Sequence, residues 1–393
     1  KGDLDKHAPA ALHGLPRRPA WAAPRALPSA LDHPGASRPV VSTGPSPLLR
    51  LALTLLAALA VAATANALHA PLPWLLGPLV LTAGCGIAGV PLLASGRLRN
   101  VGQWVIGIAL GLYFTPAALA LIARLAPAIA LSVAWALTLG YLFYRFLLRV
   151  NGGDRASAYF AAAIGGASEM ANLADRYGGR VDRVAAAHSL RLLLVVMIIP
   201  VGLRLTGLHG LDAAPPPAGV VHWPGLALLV AASGAGILAM SRFGAPNPFV
   251  LGALAVTMLL TAFGFELSAL PPWAGGMAQL FIGVALGARF TPEFVHAAPR
   301  WLAAVALATV VMIALCSGFA WVLAHEIGLH PGTLLLATSP GGIAEMAITA
   351  KALQLGVPVV TAFQVVRYVS VLTLTSPLFR WELSRANERA RAG

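Results

Sequence analysis

The sequence predicts an all-α integral membrane protein of about ten transmembrane helices. They form two homologous, inverted five-helix repeats, each with a re-entrant segment broken by a Gly-Gly pair. Three observations predict this. Of 393 residues, 58% are hydrophobic and only 10% charged, and the mean hydropathy is +0.78. A water-soluble domain carries about 25% charged residues, so this chain cannot clothe a water-facing surface. Arg50 and Arg97 bracket 46 residues without a charge, and Arg99 and Arg124 bracket 24 more. About 20 apolar residues cross a bilayer as a helix. Finally, several motifs occur twice at one separation.

The first 47 residues stand apart. They hold nine prolines and scattered Arg, His, Asp and Ala without helical or strand period. Such a segment cannot bury enough apolar surface to offset its ordering entropy, and it is expected to be disordered. It lacks the apolar core of a signal peptide. Because the chain begins with Lys1, an imperfect gene model is the alternative to a real tail.

Two membrane repeats follow, 48–207 and 222–380, and then a cytoplasmic tail, 381–393. Gly107-Ile-Ala-Leu-Gly-Leu-Tyr-Phe-Thr-Pro116 returns as Gly283-Val-Ala-Leu-Gly-Ala-Arg-Phe-Thr-Pro292, with seven of ten positions identical. Gly165-Gly-Ala-Ser-Glu-Met170 returns as Gly341-Gly-Ile-Ala-Glu-Met346, and Arg191 returns as Arg367, all at an offset of 176. Pro71, Pro73 and Gly77 match Pro246, Pro248 and Gly252 at 175. Spans are expected near 48–68, 72–91, 100–121, 125–146 and 184–204, and again near 222–240, 246–265, 273–290, 301–323 and 358–379. Segments 153–177 and 332–355 are ambiguous: each starts apolar, breaks at a Gly-Gly pair and turns polar.

Basic residues arbitrate, because cytoplasmic loops carry the excess of Lys and Arg. If both ambiguous segments are re-entrant, fourteen basic residues lie inside and only Arg124, Arg204 and Lys351 outside. If both cross, the split is nine against eight. Ten spans follow, and five crossings per repeat invert one half against the other, as in many secondary transporters. The Phe-Thr-Pro segments at 114–116 and 290–292 read as structural turns with Thr as N-cap. Gly107-x-x-x-Gly111 and Gly283-x-x-x-Gly287 read as close helix contacts.

The paired Gly-Gly-x-x-Glu-Met and Gly-x-Ala-Leu-Gly-x-x-Phe-Thr-Pro segments resemble the bacterial membrane family of AbrB-duplication proteins, over roughly residues 48 to 380. Members carry labels of an ammonia monooxygenase or an AbrB-type regulator of gene expression. The resemblance also implies likeness to cation/proton antiporter and anion transporter folds built from inverted repeats.

Composition excludes several functions. Net charge is +13 with pI near 10.9, but the basic residues sit in short connections and mark topology rather than a nucleic-acid face. Cys85 and Cys316 lie in apolar spans without a CxxC partner, so no disulfide framework or zinc site is implied. Of ten histidines only His188 lies well inside a span, so no metal or oxygenase centre is expected. No phosphate-binding loop or Ser-His-Asp spacing occurs. The expectation is a protein without cofactor or enzymatic activity.

Candidate binding residues remain. Gly165-Gly166 and Gly341-Gly342 are interruptions where non-helical backbone would line a cavity. Glu169 and Glu345 follow them; a carboxylate at the bilayer centre costs roughly 2.5–3.5 kcal/mol. Each either binds a proton, Na⁺ or substrate, or caps free amides at a helix start, and Ser168 fits the same capping. Arg191 and Arg367 lie about 12–14 Å deep at 1.5 Å per residue. They either pair with the glutamates or anchor a carboxylate-bearing substrate. His188 and Gln364 are repeat equivalents one turn earlier, read either as satisfied packing residues or, for His188, as a proton relay. Asn172, without a polar counterpart, would extend the site in the first copy only.

The function expected is a secondary transporter in the bacterial inner membrane, moving a zwitterion or small organic acid coupled to H⁺ or Na⁺. A non-transporting membrane regulator or sensor of a small metabolite is the alternative. The partners are the lipid bilayer, the solute and the ion, with no nucleic acid; a homo-oligomer is compatible with the sequence.

Overall fold

The computed structural model describes residues 46–150, 152, 154–208, 210, 220–296 and 298–392. The tail expected over 1–47 falls, except for its last two residues, outside the described residues. Among the described residues regular structure is helical throughout: α1 (Pro47–Ala67), α2 (Pro73–Ile87), α3 (Gly96–Gly111), α4 (Pro116–Arg124), α5 (Ala126–Val150), α6 (Arg155–Ala162), α7 (Ala167–Arg176), α8 (Val181–Leu205), α9 (Trp223–Arg242), α10 (Pro248–Ala262), α11 (Pro272–Gly287), α12 (Pro292–His296), α13 (Pro299–Ile327), α14 (Pro331–Thr338), α15 (Ile343–Ala352) and α16 (Val357–Ala392). The duplication is visible in this order, since α9–α16 repeat the succession of α1–α8. In each half a helix of 8 residues and one of 10 flank the Gly-Gly pair.

Local chemistry sets many boundaries. Proline fixes φ and lacks the amide hydrogen that a first turn leaves unpaired, so it suits a helix start. Ser46 caps α1 by accepting from the Leu49 amide at 3.3 Å. Thr115 caps α4 by accepting from the Ala118 amide, and Thr291 accepts from the Phe294 amide, both at 3.3 Å. The two Phe-Thr-Pro segments are thus helix-starting turns.

Among the described residues, six helices are long and apolar enough to cross a membrane: α1, α5, α8, α9, α13 and α16. The other four expected spans take a different form. The expected span 100–121 is not one helix: α3 and α4 are bent by 86° where 112–115 break the chain. The helices α2, α3, α10 and α11 have 15 or 16 residues, about 22–24 Å at 1.5 Å per residue, against a hydrocarbon core of about 30 Å. Outward faces are apolar, with exposed Leu53, Leu56, Leu238 and Leu307. The exposed Trp223 and Trp273 sit in first turns of helices, where a membrane interface enriches tryptophan.

The halves pack by exchange. Helix α3 of the first half packs on α10 of the second, and α11 of the second on α2 of the first. Glycines make this possible. A Cβ on Gly107 would stand 2.6 Å from the Val250 carbonyl oxygen, and one on Gly283 would stand 2.5 Å from that of Leu75. Both separations are sub-contact, so only glycine lets these backbones approach. Helices α8 and α13, and α5 and α16, also pair across the halves. One group therefore comprises α1–α3 with α9–α11, and a second comprises α5–α8 with α13–α16.

Candidate functional site

Two short helices end and two begin at the breaks. Helix α6 stops at Ala162 and α7 starts after Gly166; α14 stops at Thr338 and α15 starts after Gly342. A helix end leaves carbonyls without intrahelical partners, and the C-terminal end carries partial negative charge. The buried arginines answer both needs. Arg191, 4% exposed, donates from Nη1 to the Ala161 carbonyl at 3.3 Å. Arg367, also 4% exposed, donates from Nη1 to the Ser339 carbonyl and from Nη2 to the Gly341 carbonyl at 2.8 Å.

The residues one turn earlier complete matching latches. His188 bonds through Nε2 to the Phe160 carbonyl at 2.9 Å, and its Nδ1 faces Arg191 Nη2 at 2.8 Å. Gln364 donates through Nε2 to the Leu336 carbonyl at 2.6 Å, and its Oε1 accepts from Arg367 Nη2. Phe160 and Leu336 are themselves 176 residues apart. A guanidinium only donates and a carbonyl only accepts. His188 is therefore the neutral Nε2–H tautomer, doing in the first copy what the Gln364 amide does in the second. Both ring nitrogens are occupied, which leaves no free position for a proton relay. His188→Gln is expected to keep the thermal midpoint, while His188→Leu lowers it by several degrees. An unchanged midpoint in the Leu variant would show that these two bonds do not hold the break.

The glutamates occupy the third position of α7 and α15, in the first turn, where the partial positive charge of the helix favours a carboxylate. Each folds back over its glycine: a Cβ on Gly166 would stand 2.0 Å from Glu169 Oε2, and one on Gly342 would stand 2.1 Å from Glu345 Oε2. Neither glycine has positive φ (−69° and −83°). They are small to leave room for the carboxylates, not to bend the chain. Ser168 caps nothing; the N-cap is Gly166, without a side-chain cap bond, and Ser168 is exposed.

Both breaks open on one cavity of about 350 Å³, bordered by Gly165, Gly166, Ser168, Glu169, His188, Arg191, Gly341, Gly342, Glu345 and Arg367. Ten of the twelve residues singled out in the sequence thus come together. Gln364 is fully buried behind Arg367 and does not reach the cavity. Asn172 faces a neighbouring cavity of about 560 Å³ with Asp182 and Ser189. The direct Glu–Arg pairs weighed for the quartet do not form. Arg180 and Asp182 do form an ion pair, at 2.8 Å on the exposed surface. Nor do the described residues hold three His, Cys, Asp or Glu side chains placed for a metal ion.

The first helix group supplies the opposite wall: Arg99, Asn100 and Gln103 from α3, Asn247 at the start of α10, and Arg289 just after α11. Tyr368 of α16 lies beside Gly166 and interacts with Glu169. Sequence reasoning assigned Arg99 and Arg289 only to the membrane side. Two signals were available. Arg289 replaces Tyr113 within an otherwise repeated motif, and Gln103 recurs as Gln279 at the shared offset.

Residues 84–382 match the model of the family described as transition state regulatory protein AbrB. The chain belongs to the AbrB family. A protein of Escherichia coli (strain K12) named "Putative regulator AbrB" is 26% identical over 318 residues, covering 79% of this chain and 90% of that protein. YhjN of Bacillus subtilis (strain 168), whose name assigns no activity, is 25% identical over 306 residues, covering 72% of this chain and 78% of that protein. No solved structure matches the chain. This AbrB-family protein is thus a helical, multi-pass membrane-type chain whose two halves meet at one polar cavity.

Proposed function

We propose that this AbrB-family protein is a secondary transporter of the bacterial inner membrane. It moves a small polar or anionic solute, coupled to H⁺ or Na⁺, by alternating access around the two broken segments. One observation carries the reading: both helix breaks, both glutamates and both buried arginines border a single cavity. Polar backbone and charge at membrane depth are costly unless they line a solute or ion path. In this reading α2, α3, α10 and α11 cross with their flanking residues, giving ten spans, and α6–α7 and α14–α15 are re-entrant from opposite sides. The glutamates then take the coupling ion.

Flux tests the function. In liposomes the purified protein should accumulate a labelled organic or amino acid under an imposed H⁺ or Na⁺ gradient. Solute binding without flux would instead favour a sensor, in keeping with the regulator named in Escherichia coli. Cysteine accessibility tests the topology, in a background with Cys85→Ser and Cys316→Ala. Arg155→Cys and Asp175→Cys should label from one face of the membrane, and Glu326→Cys and Lys351→Cys from the other. Opposite labelling within either pair would sink the re-entrant arrangement and the inversion with it.

A further inference from the structure

We infer that the solute of this cavity is a compact dianion with two separated carboxylates, held by Arg99 and Arg289. The inference rests on reading the cavity as the solute site. Four guanidiniums border it, from Arg99, Arg191, Arg289 and Arg367, against the two carboxylates of Glu169 and Glu345. That leaves a formal surplus of two positive charges. A zwitterion would not cancel the surplus, and a monoanion would cancel half of it.

The four arginines are not equivalent. Arg191 and Arg367 spend donors on the carbonyls of the broken helices. Arg99 and Arg289 are half-buried, yet neither guanidinium has an ion pair or hydrogen bond among the described residues. They stand on different helices, one in the first turn of α3 and one just after α11. Each can therefore offer its own two-pronged face to a separate carboxylate, the geometry that arginine favours. The Nε of Arg367, in the wall, is buried without a partner. Asn100, Gln103 and Asn247 add amide donors on the same side.

The duplicated glutamates differ accordingly. Glu345 stands within electrostatic reach of both Arg99 and Arg289, whereas Glu169 stands beside Tyr368. The dianion seat thus lies on the Glu345 side, next to the ion that Glu345 takes, while the ion at Glu169 lies apart from it. At about 350 Å³ the cavity is at the small end of the range for organic ligands, roomier than inorganic phosphate needs.

The test is thermal stabilisation and calorimetric binding of the purified full chain in detergent. The probes are succinate, inorganic phosphate, lactate and alanine, with uptake measured in parallel. Succinate should bind most tightly. Arg99→Gln and Arg289→Gln should each weaken it about 10-fold or more, and Arg124→Gln, outside the cavity, should leave it unchanged. If a Gln variant fails to fold, the Lys variant, which keeps the charge without the fork, should show a smaller loss. Tighter binding of alanine, lactate or phosphate overturns the inference, as does unchanged succinate affinity in both arginine variants or no binding of any probe. Succinate binding without flux overturns the transporter and leaves the dianion seat standing. Alanine flux without succinate binding does the reverse.

Discussion

Arg367→Ala is expected to destabilise the folded protein by about 2–4 kcal/mol, the largest loss among the cavity residues. The side chain serves three acceptors: the carbonyls of Ser339 and Gly341 and the amide oxygen of Gln364. Removing it leaves these groups at a site where water is scarce, and each unmet buried acceptor costs roughly 1–3 kcal/mol in soluble proteins. Membrane-embedded hydrogen bonds average nearer 0.6 kcal/mol. Relief of the cost of burying a cation offsets part of the loss, which sets the lower bound. Arg191 serves one carbonyl and His188, so Arg191→Ala should cost less. Thermal midpoints in detergent would show the order. Equal or reversed losses would mean that the arginines do not hold the breaks together.

The second large effect separates activity from stability. Glu345→Gln and Gly342→Ala should both lower solute uptake at least tenfold while leaving the fold intact. In the first, the carboxylate is lost with its shape preserved. In the second, the new methyl group meets only the flexible end of Glu345, whose Oε2 stands 2.1 Å from the Cβ position. The carboxylate must swing away. The backbone there, with φ at −83°, accepts alanine, and the gain of about 0.4–1 kcal/mol from lost unfolded-state freedom offsets the poorer N-cap that alanine makes at this position. Gly166→Ala should be less clean, because its Cβ would also come within 3.1 Å of the Tyr368 ring. Measured in one preparation, the thermal midpoint should hold while the initial uptake rate falls. Retained uptake in Gly342→Ala would show that the position of the Glu345 carboxylate is unimportant.

Much of the cavity was legible because its residues carry local signals. Glycine pairs within apolar runs mark interrupted helices, and charges deep in spans are costly enough to need a reason. Recurrence at an offset of 176 then separated these residues from chance. Arg99 and Arg289 were not legible as cavity residues. By position each lies near a span end, where the ordinary place of an arginine is the membrane surface. The turn after α3 was legible in Phe114-Thr115-Pro116, but its 86° angle was not, since hydropathy carries 100–121 as one span and does not register direction.

Composition and spacing by themselves determined that this chain is a duplicated, helical, membrane-type protein, and which charges sit where charge is costly. Those properties depend on neighbours along the chain. Tertiary structure decided the partners. The buried arginines turn to the carbonyls of broken helices rather than to the glutamates, and the opposite wall comes from α3, α10 and the end of α11. Assembly of that wall depends on backbones from different halves approaching at Gly107 and Gly283. That long-range contact builds the wall that faces both broken segments across the cavity.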